Sequence, residues 1–312
     1  MPKKFSLFMM LFKLASKHKT LGYIAALAGA VYYFGGISYL SHLLSKSEQP
    51  LPSVVSSLFN KSKSTEQTLY EISDVENFLI QGTRKGVSEY LLYRKSYIAS
   101  YNKDTRQPNW VAWCLTKDHA EGCVPRQQQF IEDTDVSYPR PTLEDYRHSG
   151  YDRGHMCPAG DNKWDKQAMY ESFYLTNMCP QNPSLNSGLW NRFEQDCRNW
   201  AMRLGEIYIC CGPLFLNQQH QSIGSNRVLV PEAFFKIVLC PSEKQGFGII
   251  CRNTDGLSKK DLYFNSIDEV ERITGIDFFP ALPDDIEQEI EEKSDEDFWK
   301  HQANITQKMQ QL

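Results

Sequence analysis

Residues 151–164 read YDRGHMCPAGDNKW, and residues 173–198 read FYLTNMCPQNPSLNSGLWNRFEQDCR. The second stretch opens an amphipathic helix expected over about Ser187–Leu204. Leu189, Phe193, Cys197, Trp200 and Leu204 recur there at three- and four-residue steps, which places them in one apolar stripe. Asn186 stands at the start, where asparagine is a favoured cap. Glu194 and Arg198 lie four residues apart on a face beside the stripe, so both reach one shared cleft. Asp152–His155 alone would be a weak signal. Here it follows a loop carrying Arg147 and His148, and Asn186 comes 31 residues after His155.

These residue types suit phosphodiester hydrolysis. A neutral imidazole such as His155 takes a proton from water near pH 7. Mg2+ keeps most of its own waters, so one protein oxygen, that of Asn186, is enough to hold it. Glu194 then accepts hydrogen bonds from the waters around the ion, and Arg153 and Arg198 offset charge developing on the phosphoryl group. Plainer readings stand beside each. A lone histidine is usually structural, and His18, His42, His119, His148, His220 and His301 are read that way for want of such company. Arg198 has the alternative of pairing with Glu194 on the helix surface, Asn177 that of bracing a loop, and Trp190 is read as core.

Further out, Tyr93–Tyr101 and Trp110–Thr116 are β-type runs separated by NKDTRQPN, a hairpin pattern. Ile207–Cys211, Phe234–Leu239 and Phe247–Cys251 are three more strands, and Ser266 with Glu269 resembles a capping box. No internal repeat is seen. These runs define a compact region over residues 68–282. Net charge is −4, so nucleic acid would have to be bound by a local cationic patch rather than by a basic domain. Nine cysteines include no C-x-x-C pair, which removes the usual structural zinc spacing. Most are read as buried hydrophobes, with Cys114–Cys123 as a candidate pair in an oxidising compartment.

Residues 1–20 are basic, and residues 21–44 contain no charged side chain, long enough for one transmembrane helix. Lysines gather before this span, which puts the amino terminus in the cytoplasm and the rest beyond the membrane. A cleaved signal peptide and a mitochondrial presequence are the alternatives. Residues 45–67, rich in Ser, Lys and Pro, read as a linker. The acidic residues 283–312 read as a solubilising tail, a solvated helix or a disordered end.

The two opening stretches resemble the core of the DNA/RNA non-specific endonuclease family (the Serratia nuclease and endonuclease G-like group). The resemblance implies an α+β fold, with an antiparallel sheet core, packed helices and a ββα-metal (His-Me finger) site. In its terms His155 corresponds to the general base, and Asn186, in L-N-x-G-x-W, to the metal ligand. Glu194 corresponds to the glutamate that bonds the metal's waters, and Arg198 to the arginine four residues later. Asn177, in Y-L-T-N, matches an asparagine near the catalytic groups; Asp152 is structural and Arg153 lies near substrate. N-W-V-A-W-C-L-T, V-P-E-A-F-F-K and T-G-I-D-F-F extend the likeness over about residues 70–280. One departure is clear: the arginine that some members carry on the early strand has no counterpart near Trp113–Cys114. The implied activity is endonucleolytic cleavage of DNA and RNA to 5′-phosphate ends, with Mg2+ as cofactor and Mn2+ as the alternative. Cys157 and Cys179 lie close to these segments, as a disulfide or as free thiols. Family members are often dimers, though no residue here decides for a homodimer. The expected location is a single-pass membrane protein with its catalytic domain in the periplasm or exterior, the mitochondrial inner membrane being the alternative. The competing functions are a membrane-tethered, non-catalytic nucleic-acid-binding or uptake protein and a hydrolase of smaller phosphodiesters.

Overall fold

The computed structural model describes residues 74–82, 85–258, 264–292 and 294–309. The basic segment, the expected membrane span and the linker (residues 1–67) lie outside the described residues. Among those described, no helix is long and apolar enough to cross a membrane. The fold is α+β, as expected. Strands β1 (Tyr90–Tyr93), β2 (Ile98–Asn102), β3 (Gln107–Thr116), β4 (Asp152–His155), β5 (Met178–Gln181), β6 (Glu206–Leu214), β7 (Ser222–Ile223), β8 (Val228–Leu229), β9 (Ala233–Cys240) and β10 (Gln245–Arg252) are joined by helices and loops. Six of them form an antiparallel sheet in the order β1-β2-β3-β6-β9-β10, while β4–β5 and β7–β8 are separate two-stranded ribbons. The longer helices are α1 (Lys166–Glu171), α2 (Asn191–Leu204), α3 (Ile267–Thr274), α4 (Asp284–Glu291) and α5 (Glu296–Met309).

Both faces of the sheet are covered. On β6, Ile207, Ile209 and Cys211 join Phe193, Cys197, Trp200 and Ala201 of α2 in one core. Tyr208 and Cys210 point the other way, into a core with Ile267 and Val270 of α3 and Ile290 of α4. Successive side chains on a strand face opposite sides, so a strand covered twice is apolar at every position rather than at alternate ones. That is why β6, β9 and β10 show in the sequence as unbroken apolar runs. Polar residues otherwise stand only at the strand ends (Glu206, Gln245 and Arg252); Lys236, at the centre of β9, is charged yet only 1% exposed.

Three sequence expectations are corrected. The run Tyr93–Tyr101 is not one strand: Arg94-Lys95-Ser96 turns the chain, with the Arg94 amide donating to the Tyr97 carbonyl at 2.9 Å, so β1 and β2 form a hairpin of their own. The helix expected from Ser187 begins as a regular helix only at Asn191. Its entry is a single turn at Pro183–Leu185 capped by Asn182, whose Oδ1 accepts from the amides of Ser184 (2.8 Å) and Leu185 (3.4 Å). A wide π-type turn at Asn186–Trp190 follows, kinked at Gly188. Asn186 is therefore not the cap, and its side chain is left for other work.

The acidic tail is not simply solvated. α4 buries Ile290, and Trp299 of α5 is 0% exposed. Trp299 packs 5.0 Å from the Trp200 ring and 4.9 Å from that of Phe247, and its carbonyl accepts from the Trp200 indole N–H at 2.9 Å. The many acids around Ile286, Ile290, Phe298 and Trp299 hide this apolar spacing in the sequence. Trp299→Ala is expected to lower stability by about 3–5 kcal/mol, as for other buried tryptophans, read as a lower midpoint in urea. No disulfide forms among the nine cysteines: Cys114 and Cys123 are free, as are Cys157 and Cys179, and seven of the nine are buried.

Candidate active site

The β4–β5 ribbon is short and fixed in register, Asp152 opposite Gln181 and His155 opposite Met178. The chain leaving His155 is held by Asn177. Its Oδ1 accepts from the Cys157 amide at 2.9 Å, and its Nδ2 donates to the carbonyls of Cys157 (2.9 Å) and Ser172 (2.8 Å). Asn177 is 0% exposed and lies outside the cleft lining. The structure thus places it as a brace behind the site, not within it.

The His155 ring packs 4.9 Å edge-on to Phe173 and 5.5 Å from Phe130. Its Nε2 is buried without a hydrogen-bond partner. His119 and His220, in contrast, engage the Cys114 carbonyl and the Glu232 carboxylate. Burial, and then the positive charges of Arg126 and Arg153, push the His155 imidazole down to about 3. It is neutral at physiological pH.

Asn186 is brought to the same cleft by the π-type turn, a feature often found at functional sites. Its Nδ2 donates to Asp152 Oδ2 at 2.9 Å. That bond fixes which way the amide faces, since a carboxylate accepts only from the NH2 side, and it leaves the oxygen as the amide's open group.

From α2 come Glu194 and Arg198. Arg198 does not pair with Glu194: its Nη1 donates to Asp161 Oδ1 at 2.8 Å. Asp161 is buried and also accepts from the Trp113 indole N–H at 3.1 Å. The guanidinium sits directly over Gly160, where a Cβ would lie 2.6 Å from Nη1, so any side chain at 160 would displace it. Burial pushes Glu194 up to about 7, opposed chiefly by Lys236 and then by Arg198 and Arg126, while Asp161 adds to the rise. Lys236 sits beneath, its Nζ 4.3 Å from the Trp190 ring centre, 5.6 Å from Trp113 and 6.0 Å from Phe193. Burial works against its charge, yet the neighbouring Cys211, Glu194, Cys197 and Asp161 hold it above its ordinary value.

His155, Asn186, Glu194 and Arg198 share one cleft of about 550 Å3, which Arg126 and Lys163 also line. Arg153 lies there too, stacked on Phe130 at 4.6 Å. Of the sequence-predicted residues, His155, Asn186, Glu194, Arg198 and Arg153 converge, and Asn177 does not. Arg126, Asp161, Lys163 and Lys236 were not foreseen. Arg126 lies in an irregular loop with no periodicity to flag it. Asp161 was overlooked because Glu194 offered Arg198 a nearer partner along the helix.

The model of the DNA/RNA non-specific endonuclease family matches residues 74–285. The chain belongs to that family. This endonuclease is 35% identical over 207 residues to "Endonuclease G, mitochondrial" of Homo sapiens, a match covering 61% of this chain and 69% of that protein. It is 33% identical to "Nuclease C1" of Cunninghamella echinulata var. echinulata, over 65% of this chain and 88% of the other. A chain in the crystal structure of the EndoG/EndoGI complex superposes with a TM-score of 0.61 at 28% identity, covering 70% of this chain and 94% of that one.

Proposed function

We propose that this endonuclease hydrolyses phosphodiester bonds of DNA and RNA with little sequence preference, with His155 as the general base and Asn186 as the protein ligand of a Mg2+ ion. The observation that carries the reading is the convergence in one cleft of a neutral, unpartnered imidazole and an amide oxygen oriented by a carboxylate. The residues fit the ion: an uncharged oxygen with Asp152 and Glu194 close by is the hard oxygen set that Mg2+ takes. When bound, the ion supplies Lewis-acid stabilisation of phosphoryl charge and of the departing 3′-oxygen.

The chain's own residues do the rest. Arg153, Arg126, Lys163 and Arg198 draw a phosphate into the cleft and stabilise its growing charge. His155 takes a proton from water as the water oxygen bonds to phosphorus, and the 3′-oxygen leaves with the electron pair of the broken bond and takes up a proton from solvent. The products are a 5′-phosphate and a 3′-hydroxyl. Asp152 is a positioning residue for Asn186, and Asn177 for the backbone after His155. Contacts made mainly to phosphate carry no base information, which supports the low specificity.

Digestion of plasmid and of RNA by the full chain, with and without a chelator, tests this reading. Loss of both activities on chelation, restored by Mg2+, is expected. Chelator-insensitive cutting overturns it, and cleavage of dinucleotide-like substrates alone reassigns the site to smaller phosphodiesters. We assign the protein to the mitochondrion rather than the periplasm, a reading that the mitochondrial names of several relatives support, with the acid-free, lysine-bearing residues 1–46 as the addressing segment. Membrane attachment rests on residues 21–44 alone.

Glu194 acts as a carboxylate, so cleavage falls on acidification as it takes up a proton. Because Lys236 favours the ionised form, Lys236→Met moves that acid limb to higher pH, whereas Lys236→Arg, which keeps the charge, leaves it close to wild type. A pH–rate profile of the three proteins at fixed Mg2+ checks the order, and an unmoved limb in Lys236→Met removes Lys236 from the mechanism.

A further inference from the structure

Away from the cleft, α3 and α4 meet at a group of carboxylates. Asp268 and Glu271 of α3 and Glu291 at the end of α4 each offer an oxygen, and the three oxygens lie within 4.8 Å of one another. Glu291 is only 4% exposed, and its Oε1 is buried with no hydrogen-bond partner. The charges acting on it are all negative, from Glu271, Glu287, Asp268 and Asp277. Nearby basic side chains are engaged elsewhere: Arg272 holds Glu269 through bonds of 2.8 and 2.6 Å, and Lys244 holds Glu289 at 2.7 Å. α4 itself contains neither lysine nor arginine. Glu271 has one hydrogen bond of its own, accepted from the Phe278 amide at 2.6 Å. A buried carboxylate is tolerated when it is paired, when it holds a proton, or when it coordinates a metal.

We propose that Asp268, Glu271 and Glu291 form a Ca2+ site that ties α4 to α3. Glu291 is buried, puts a carboxylate oxygen into the group and leaves its Oε1 without a partner, which distinguishes the group from an ordinary acidic patch on the surface. Ca2+ suits the group better than Mg2+, because it takes about six to eight oxygens in flexible geometry, whereas Mg2+ requires a near-ideal octahedron and gives up its own waters reluctantly. Water completes the shell on the exposed side, where Asp268 lies. None of the three residues lines the catalytic cleft. Their helices pack on the face of the sheet opposite α2, so the ion acts on stability and not on the chemistry.

The test is thermal unfolding of the full chain, stripped of metal and then titrated with CaCl2 or MgCl2. Ca2+ at about a hundredfold excess over its Kd is expected to raise Tm by roughly 5–10 °C, and Mg2+ by less. Glu291→Gln and Asp268→Asn should lose the Ca2+ shift while keeping wild-type cleavage in Mg2+. Asn186→Ala should keep the shift, which separates this site from the cleft and leaves the result independent of the nuclease mechanism. Asp268 is exposed, so its variant folds even if Glu291→Gln does not. No shift in wild type, a shift that persists in Asp268→Asn, or one abolished by Asn186→Ala overturns the proposal.

Discussion

Replacing His155 with alanine is expected to lower cleavage of DNA and RNA by about 10²–10⁴-fold, the usual worth of a positioned general base, while leaving nucleic-acid affinity near wild type. In the proposed function the affinity is assigned to Arg126, Arg153, Lys163 and Arg198, which line the cleft and which the substitution does not touch. Single-turnover rates and filter binding on the same variant separate the two, and equal losses in both would mean that the ring only holds the cleft open. The imidazole is held neutral by burial and by two guanidiniums. A phosphate settling between Arg126 and Arg153 offsets their charge, so the base gains strength as the substrate arrives. Stability gives a second readout. A histidine whose pKa falls from 6.5 to about 3 on folding costs stability as pH drops through that window, because the unfolded chain takes up the proton first. The alanine variant should therefore lose less stability than wild type between pH 6.5 and 3.

Asn186→Ala is expected to be comparably severe, about 10³-fold in kcat/KM, because it removes the oxygen assigned to the ion, whose charge stabilisation is worth several kcal/mol. High Mg2+ should restore part of the rate. Asp152→Ala should be milder, with metal affinity down by about 10–100-fold, as for other residues that orient a ligand, because Asn186 keeps its oxygen but loses the bond that aims it. Metal titrations of activity rank the three proteins. If Asn186→Ala shows the wild-type Mg2+ dependence, the ligand lies elsewhere.

The central fold was legible because its sheet is buried on both faces, which turns β6, β9 and β10 into apolar runs that no surface strand would show. The convergence of His155, Asn186, Glu194 and Arg198 was legible because each chemistry-bearing side chain is anchored by a local pattern: the DRGH strand, and a helix with its stripe. What escaped depends on distance along the chain. Arg126 reaches the cleft from an irregular loop, and Asp161 meets Arg198 across 37 residues. Asn186 reads as the cap from sequence, and only tertiary structure shows that Asn182 takes that place while Asn186 turns toward Asp152. Nothing local marks Lys236, because its aromatic surroundings come from β3, the π-type turn and α2 together.

The Trp200–Trp299 contact has a consequence for how the molecule comes into being. Protein synthesis runs from the amino end, and the indole N–H of Trp200 must wait 99 residues for the carbonyl that receives it. Until then the face of α2 that carries Trp200 lacks this cover, and a nascent or prematurely stopped polypeptide that ends short of Trp299 carries every cleft residue without it.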